Sequence, residues 1–358
     1  MQNHPFAKRP PAPLRRWCAQ WVGVWLAALA WLPLAQAASP ATADAAARAE
    51  AQVQALQRAG DAVVALEVTA TEGATSAENL GRQRSGSGVV IGPDGLILTI
   101  GYLLLEAETI EVLTQDDRRL PARQVAYDLA TGFALVRPLV PLAGIEPVPL
   151  AGVAGLRPGE PLLAATGGSG GAEVAFTRLV ATRPFSGNWE YHIDVALFTS
   201  PPIVNHSGAS LFNRNGELVG IGSLLVREAG GPNRLPGNMF VPVELLRPVL
   251  AEMQSTGRTR ASVRPWLGLS SFERDGHVQI VRVDRAGPAL EAGLQPGDVV
   301  LEIDGVRVAT LEAFYKQLWT RPDAEADIEL TVQQGAEIRK VKVHAVDRMQ
   351  TLRKPQGI

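Results

Sequence analysis

Few residues in this chain carry side chains that do chemistry at neutral pH. There is one cysteine, Cys18, and there are five histidines. A zinc site needs Cys and His clustered at short spacing, and His192, His206, His277 and His344 are scattered, so neither a metal site nor a cofactor is expected. The glycine run Gly167-Gly168-Ser169-Gly170-Gly171 lacks the lysine and the flanking pattern of a phosphate-cradling loop. Acid–base and hydroxyl chemistry remain. His192 and Asp194 alternate along an extended segment and so share a face, an arrangement that can supply a base and the carboxylate that orients it. A surface or core histidine is the plainer reading of the same pair. His206 directly precedes Ser207, and adjacent side chains on an extended segment point apart, which argues against a short bond between that imidazole and that hydroxyl.

These groups need elements to position them, and 358 residues are enough for two or three domains. With 46% hydrophobic and 20% charged residues, 35 Gly and 26 Pro, the composition is that of a globular, strand-rich chain. Lys+Arg 34 against Asp+Glu 36 gives a net charge of −2 with no long basic run, so nothing suggests nucleic-acid binding. Residues 1–37 have the form of a secretory signal peptide: basic Lys8, Arg9, Arg15 and Arg16, an apolar run from Trp17 to Leu34, and a small-residue site at Ala35-Gln36-Ala37. Cleavage there removes Cys18 and four positive charges, taking the net charge from −2 to −2 − 4 = −6 for residues 38–358. The alternative is an uncleaved inner-membrane anchor, since the run approaches the ~20 apolar residues that span a bilayer. Either way the bulk of the chain is expected in the periplasm.

Residues 38–60 are rich in Ala, Glu, Gln and Arg and predict a helical segment. From 61 to about 222, short apolar runs (VVALEV, TIEVLTQ, FALVRPL, ELVGIGSLLV) alternate with Gly, Pro and Asp turns, the pattern of a β-sandwich or β-barrel. Pro242 to Ser255 predicts a helix that closes this domain at 256. Residues 257–263 read as a linker, 264–346 as a second module and 347–358 as a tail. In that module HVQIVRV, DVVLEI and DIELTVQQ predict strands, and Leu311 to Trp319 a helix.

The stretch AGPALEAGLQPGDVVLEIDG at 286–305 resembles the PDZ domain of bacterial proteases. Pro288 to Ala292 form a short helix stopped by Gly293, Leu294 enters the core, Pro296-Gly297-Asp298 make a turn and Asp304-Gly305 close a hairpin. PDZ domains add a peptide strand to a sheet edge and take its C-terminal carboxylate on backbone amides. The resemblance puts that carboxylate loop at Trp266-Leu267-Gly268-Leu269, with Arg264 just before it, and a groove lined by Leu311, Phe314 and Leu318. Core packing is the equally simple reading of each apolar residue taken singly.

With a β domain ahead of this module, the chain resembles periplasmic HtrA (DegP-like) serine proteases over roughly 62–346. Ser87 to Thr99 (SGVVIGPDGLILT) resembles the family's first strand pair, Leu156 to Pro161 (LRPGEP) the segment before its oxyanion-side loop, and Ser207 to Asn213 (SGASLFN) its nucleophile segment. The implied fold is mostly β: a chymotrypsin-like double β-barrel followed by a PDZ domain, β-sandwich-like with two helices. The resemblance also implies a homo-oligomer, a trimer. It makes 167–171 a loop beside the oxyanion hole.

The catalytic positions depart from the family. Its T-N-N-H reads Thr99-Ile100-Gly101-Tyr102 here, which puts Tyr102 at the histidine position. Its D-x-x-T-D-x-A-L reads Asp128 to Leu135 (DLATGFAL), which puts Gly132 at the aspartate position. Ser207 remains as the nucleophile, and Asn205 stands at an oxyanion-hole glycine position. Serine without a base is a poor nucleophile, so Ser207 is expected to be vestigial. The expected function is a pseudoprotease that binds polypeptide C-termini or unfolded periplasmic proteins as a chaperone, an adaptor or a regulator of an active HtrA-type relative. The alternative is an active serine endopeptidase rebuilt around Ser207 with a base such as His192.

Overall fold

The computed structural model describes residues 40–168, 170–231 and 235–354. The expected signal peptide lies outside them, and among the described residues no helix is long and apolar enough to cross a membrane. After helix α1 (Pro40–Asp61), strands β1 (Val63–Ala70), β2 (Gln83–Val90), β3 (Ile97–Ile100), β4 (Ala107–Leu113), β5 (Arg119–Tyr127) and β6 (Phe133–Pro138) form a closed barrel in the order β1-β2-β3-β6-β5-β4. A single turn, α2 (Ala77–Leu80), interrupts it between β1 and β2. Strands β7 (Pro161–Thr166), β8 (Glu173–Gly187), β9 (Tyr191–Ser200), β10 (Ser210–Phe212), β11 (Leu218–Val226) and β12 (Gly237–Pro242) close a second barrel in the order β10-β11-β12-β9-β8-β7. Both barrels follow from the alternation seen in the sequence, because closing the sheet buries one face of every strand and leaves no edge unpaired. Where they touch there is no room for a side chain: a Cβ on Gly167 would lie 2.2 Å from the backbone of Val64 and Ala65.

The second module is a seven-stranded sheet of β13 (Pro265–Trp266), β14 (Leu269–Arg274), β15 (His277–Val283), β16 (Val299–Ile303), β17 (Val306–Arg307), β18 (Ala326–Gln334) and β19 (Glu337–Asp347). Its order is β13-β19-β18-β16-β15-β14, with β17 paired to β16. β14 is therefore an edge.

Three differences from the sequence reading have simple causes. Pro242 to Ser255 is not one helix: a 3₁₀ turn at Val243–Leu245 is followed by α3 (Leu250–Thr256), because Pro248 supplies no N–H for the intervening turn. The charged alternation of β19 hid a strand whose outer face is solvated. Residues 257–263 are not a free linker. Thr259 and Ser262 are 1% exposed and their hydroxyls donate to the buried carboxylate of Asp128, so the polar character that suggested solvent serves an internal bond instead. The module's helices are α4 (Pro288–Glu291), α5 (Leu311–Leu318) and α6 (Arg348–Thr351). α5 starts on Thr310, whose side chain accepts from Ala313 N–H, and buries Leu311, Phe314, Tyr315 and Leu318.

Candidate functional site

Ser207 and Tyr102 meet across the junction of the two barrels. Tyr102 follows β3 in a 3₁₀ turn (Gly101–Leu104), and Ser207 precedes β10. The Ser207 carbonyl accepts from Ser87 N–H at 2.9 Å, tying its turn to β2. Tyr102 Oη lies 2.8 Å from Ser207 Oγ and 2.9 Å from the Ser223 carbonyl oxygen. One phenolic hydrogen serves both neighbours, and when it goes to the carbonyl, Ser207 donates to Oη. Burial pushes the Tyr102 phenol up to about 12, only partly offset by its bond to Ser207. Roughly one molecule in 10⁵ then carries the phenolate at pH 7, so the group facing Ser207 is not a working base.

The other candidate residues do not repair this. Gly132 has φ +82°, and a Cβ there would come within 3.4 Å of Tyr191 Oη, whose hydroxyl donates to the Thr131 carbonyl at 2.6 Å. Asp128 caps its own turn through Thr131 and holds Thr259 and Ser262. Asn205 is exposed, and the turn around it commits His206 N–H to the Val204 carbonyl. His206 Nδ1 donates to that same carbonyl at 2.8 Å. His192, the base of the alternative reading, is 8% exposed, with its ring nitrogens 2.9 Å from Ser186 Oγ and 3.2 Å from Asp194 Oδ1. It faces α5, where Lys316 Nζ lies 2.7 Å from Asp194 and 2.8 Å from Glu312. His192, Asp194 and Glu312 could converge on a metal ion, but the lysine already pairs with both carboxylates. Beside Tyr102 and Ser223, Trp189 and Tyr191 stack with ring centroids 5.8 Å apart and leave a cavity of about 40 Å³. That is space for a few waters and not for a substrate side chain.

The expected carboxylate loop is assembled, and it is occupied. Leu267 N–H and Leu269 N–H donate to the Glu190 carboxylate at 3.0 Å and 2.8 Å. Glu190 belongs to the second barrel, in the turn Asn188-Trp189-Glu190 between β8 and β9. Arg264 does not line an open groove: it is 8% exposed, stacks over the Trp319 ring at 3.6 Å and donates to the Leu129 and Glu190 carbonyls. Leu311, Phe314 and Leu318 lie in the module's own core with Val278, Ile280 and Leu294, and Trp266 is 8% exposed, so the structure favours the packing reading of these residues. The sequence missed Glu190, Asn188 and Tyr315. The only local signal was a glutamate at a hairpin position that suits Gly or Asn, since Glu190 has φ +57°.

Burial pushes the Glu190 carboxyl up to about 7, outweighing the Leu269 and Leu267 amides and the positive field of Arg348. Arg264 and the Tyr315 hydroxyl also face it. Because its folded value lies above 4.5, Glu190 favours the folded state fully below that pH and loses the contribution as pH rises to 7, about 3 kcal/mol in all. Urea midpoints between pH 4.5 and 8 should fall for the wild type and stay level, after subtraction, in Glu190→Gln. A wild-type curve parallel to that of the variant would remove this assignment.

A trypsin-like peptidase domain model matches residues 86–221 and a PDZ domain model residues 265–345. A probable periplasmic serine endoprotease DegP-like of Halomonas elongata is 29% identical over 280 residues, covering 74% of this chain and 57% of its own length. One from Marinomonas sp. is 30% identical over 245 residues, covering 64% and 50%. The chain thus spans little more than half the length of the curated relatives it matches. Among solved structures, the HtrA-type protease AlgW with a decapeptide superposes with a TM-score of 0.51 at 23% identity, covering 85% of this chain and 99% of that one. The serine endoprotease from Yersinia pestis does so with a TM-score of 0.51 at 23% identity, covering 82% and 97%. With a trypsin-like peptidase domain leading into a PDZ domain, and DegP-like relatives aligned over most of its length, the chain is similar in sequence and domain order to the HtrA/DegP-like family.

Proposed function

We propose that this protein is a proteolytically silent HtrA-type protein that binds polypeptide C-termini or unfolded segments through its PDZ domain. One observation carries the reading: the hydroxyl of Ser207 is held by a buried phenol where a hydrolase needs a base. Triad residues act as a unit, and loss of the base alone removes about 10⁶-fold in rate. Tyr102 and Gly132 are then the replaced histidine and aspartate, and Ser207 and Asn205 are inherited turn residues. The small size of the cavity beside Tyr102, about 40 Å³, supports the same reading, since it is space for a few waters. The periplasmic relatives and the leader read at 1–37 support export, and chaperone, adaptor or regulator of an active relative are the roles open to such a protein, in the trimer that its family resemblance implies.

The test is labelling of the purified protein by a fluorophosphonate probe, with Ser207→Ala as control and degradation of an unfolded polypeptide followed in parallel. No labelling above the control and no degradation are expected. Ser207-dependent labelling with cleavage would establish the alternative, an active endopeptidase.

A further inference from the structure

The PDZ edge is filled by this chain itself. Glu190 places its carboxylate on Leu267 and Leu269 N–H, and two residues earlier Asn188 offers its carbonyl to Ser271 N–H at 2.9 Å. Leu269 and Ser271 alternate along β14, so both N–H groups point off the same free edge of the sheet. An added peptide strand would use those same donors: a carboxylate at the loop and, two residues back, a carbonyl on the strand. From α5, Tyr315 closes the arrangement. Its hydroxyl donates to the Gly187 carbonyl at 2.7 Å and accepts from Glu190 N–H at 3.3 Å. The β8–β9 turn therefore presents to the PDZ domain the polar groups of a peptide end, though it is a closed hairpin in the middle of the chain.

Two features make this a held state and not a casual contact. Glu190 is 4% exposed, so its carboxyl has left water, and its φ of +57° is a left-handed conformation that a glutamate adopts only when its surroundings demand it. Both penalties vanish if the turn swings free, and the loop amides, Ser271, Tyr315, the Arg264 bond to the Glu190 carbonyl and the stacking of Trp189 on Tyr191 oppose that. Trp189 and Tyr191, on either side of Glu190, also wall the cavity beside Tyr102, so displacement of the turn would be felt there.

We infer that Glu190 is an internal ligand of the PDZ carboxylate loop, and that a polypeptide C-terminus binds only by displacing the β8–β9 turn. This rests on the reading above that the loop takes C-terminal carboxylates.

Two measurements separate the two readings. Glu190→Gly removes the carboxylate and suits the left-handed backbone, so the turn itself is not put under new strain. The probe is a fluorescein-labelled decapeptide ending in Leu-Val with a free carboxylate, titrated against the full chain by anisotropy, with its C-terminal amide as control. If the open state is a minor fraction of the wild type, Glu190→Gly should bind the free acid at least about tenfold more tightly, and the amide no better than before. Tyr315→Phe, which keeps the carboxylate and loosens only the turn, should gain about threefold and guards against misfolding of the first variant. Independently, hydrogen exchange over 266–271 should speed up at least about tenfold in Glu190→Gly, as amides lose their acceptors. Equal peptide affinity in wild type and both variants overturns the inference, as does unchanged exchange. Faster exchange with no peptide binding in any variant overturns competition by C-termini and, with it, the reading of the loop as a C-terminus site, while leaving the internal contact in place.

Discussion

The double variant Tyr102→His, Gly132→Asp, which supplies the base and carboxylate that the proposed function reads as replaced, is expected to stay inert. Gly132 has φ +82°, where an L side chain costs about 1–2 kcal/mol. Its Cβ would start 3.4 Å from Tyr191 Oη, and the rest of the carboxylate would have to occupy space that this phenol fills. Tyr191 is not free to yield: it is buried, bonded to the Thr131 carbonyl and stacked on Trp189. A histidine at 102 would therefore lack its orienting partner. Ser207-dependent fluorophosphonate adduct, counted by intact mass, should form within about tenfold of the Ser207→Ala background, against the ~10⁶-fold that an intact triad provides. Adding Tyr191→Ala should open the position and raise the rate about 10²-fold over the double variant, a partial recovery expected when geometry is only partly restored. A double variant that reacts hundreds of times faster than background would show that the site needs only its two missing side chains.

Gly208→Ala is expected to destabilise the protein by about 2–5 kcal/mol, combining about 1–3 for a new carbon forced against fixed backbone with about 1–2 for a side chain on left-handed backbone. Gly208 has φ +74°, and a Cβ there would lie 2.0 Å from the Ser87 carbonyl oxygen and 2.7 Å from Thr99 Oγ1. That carbonyl cannot move away cheaply, because Thr99 Oγ1 donates to it at 2.7 Å and the neighbouring Ser87 N–H holds the Ser207 carbonyl. Gly159→Ala separates the two penalties: φ is +90° there but nothing lies within 4 Å of the added carbon, so about 1 kcal/mol of backbone strain is expected alone. Denaturant midpoints at constant slope measure both. Equal losses at the two positions would mean that the contact with Ser87 relaxes.

Most of the architecture was legible because its determinants are local. Period-two apolar runs and Gly or Asp turns mark the barrel strands, and the run from Pro288 to Gly305 carries its helix, stop, turn and hairpin in consecutive residues. Tyr102 was legible as a departure from a motif, but its bond to Ser207 joins residues 105 positions apart, which periodicity does not report. Glu190 is the extreme case. Its acceptor role is defined by amides 77 and 79 residues downstream, and apart from a glutamate where a hairpin suits Gly or Asn, Gly187-Asn188-Trp189-Glu190 reads as a solvated hairpin. His192 looked like half of a catalytic pair because its true neighbours, Glu312 and Lys316, come from α5 in the other module.

The buried knot of Asp128 with Thr259 and Ser262 sets the terms on which the PDZ domain meets anything else. Ser262 Oγ also accepts from Leu129 N–H at 2.8 Å, so the segment that could have been slack between modules is fixed at both ends. A ligand on so short and stiff a tether acts at an effective concentration of about millimolar or above. If the turn is the internal ligand inferred above, a free chain end of equal intrinsic affinity has to approach that concentration to displace it, so several ends presented together compete better than one.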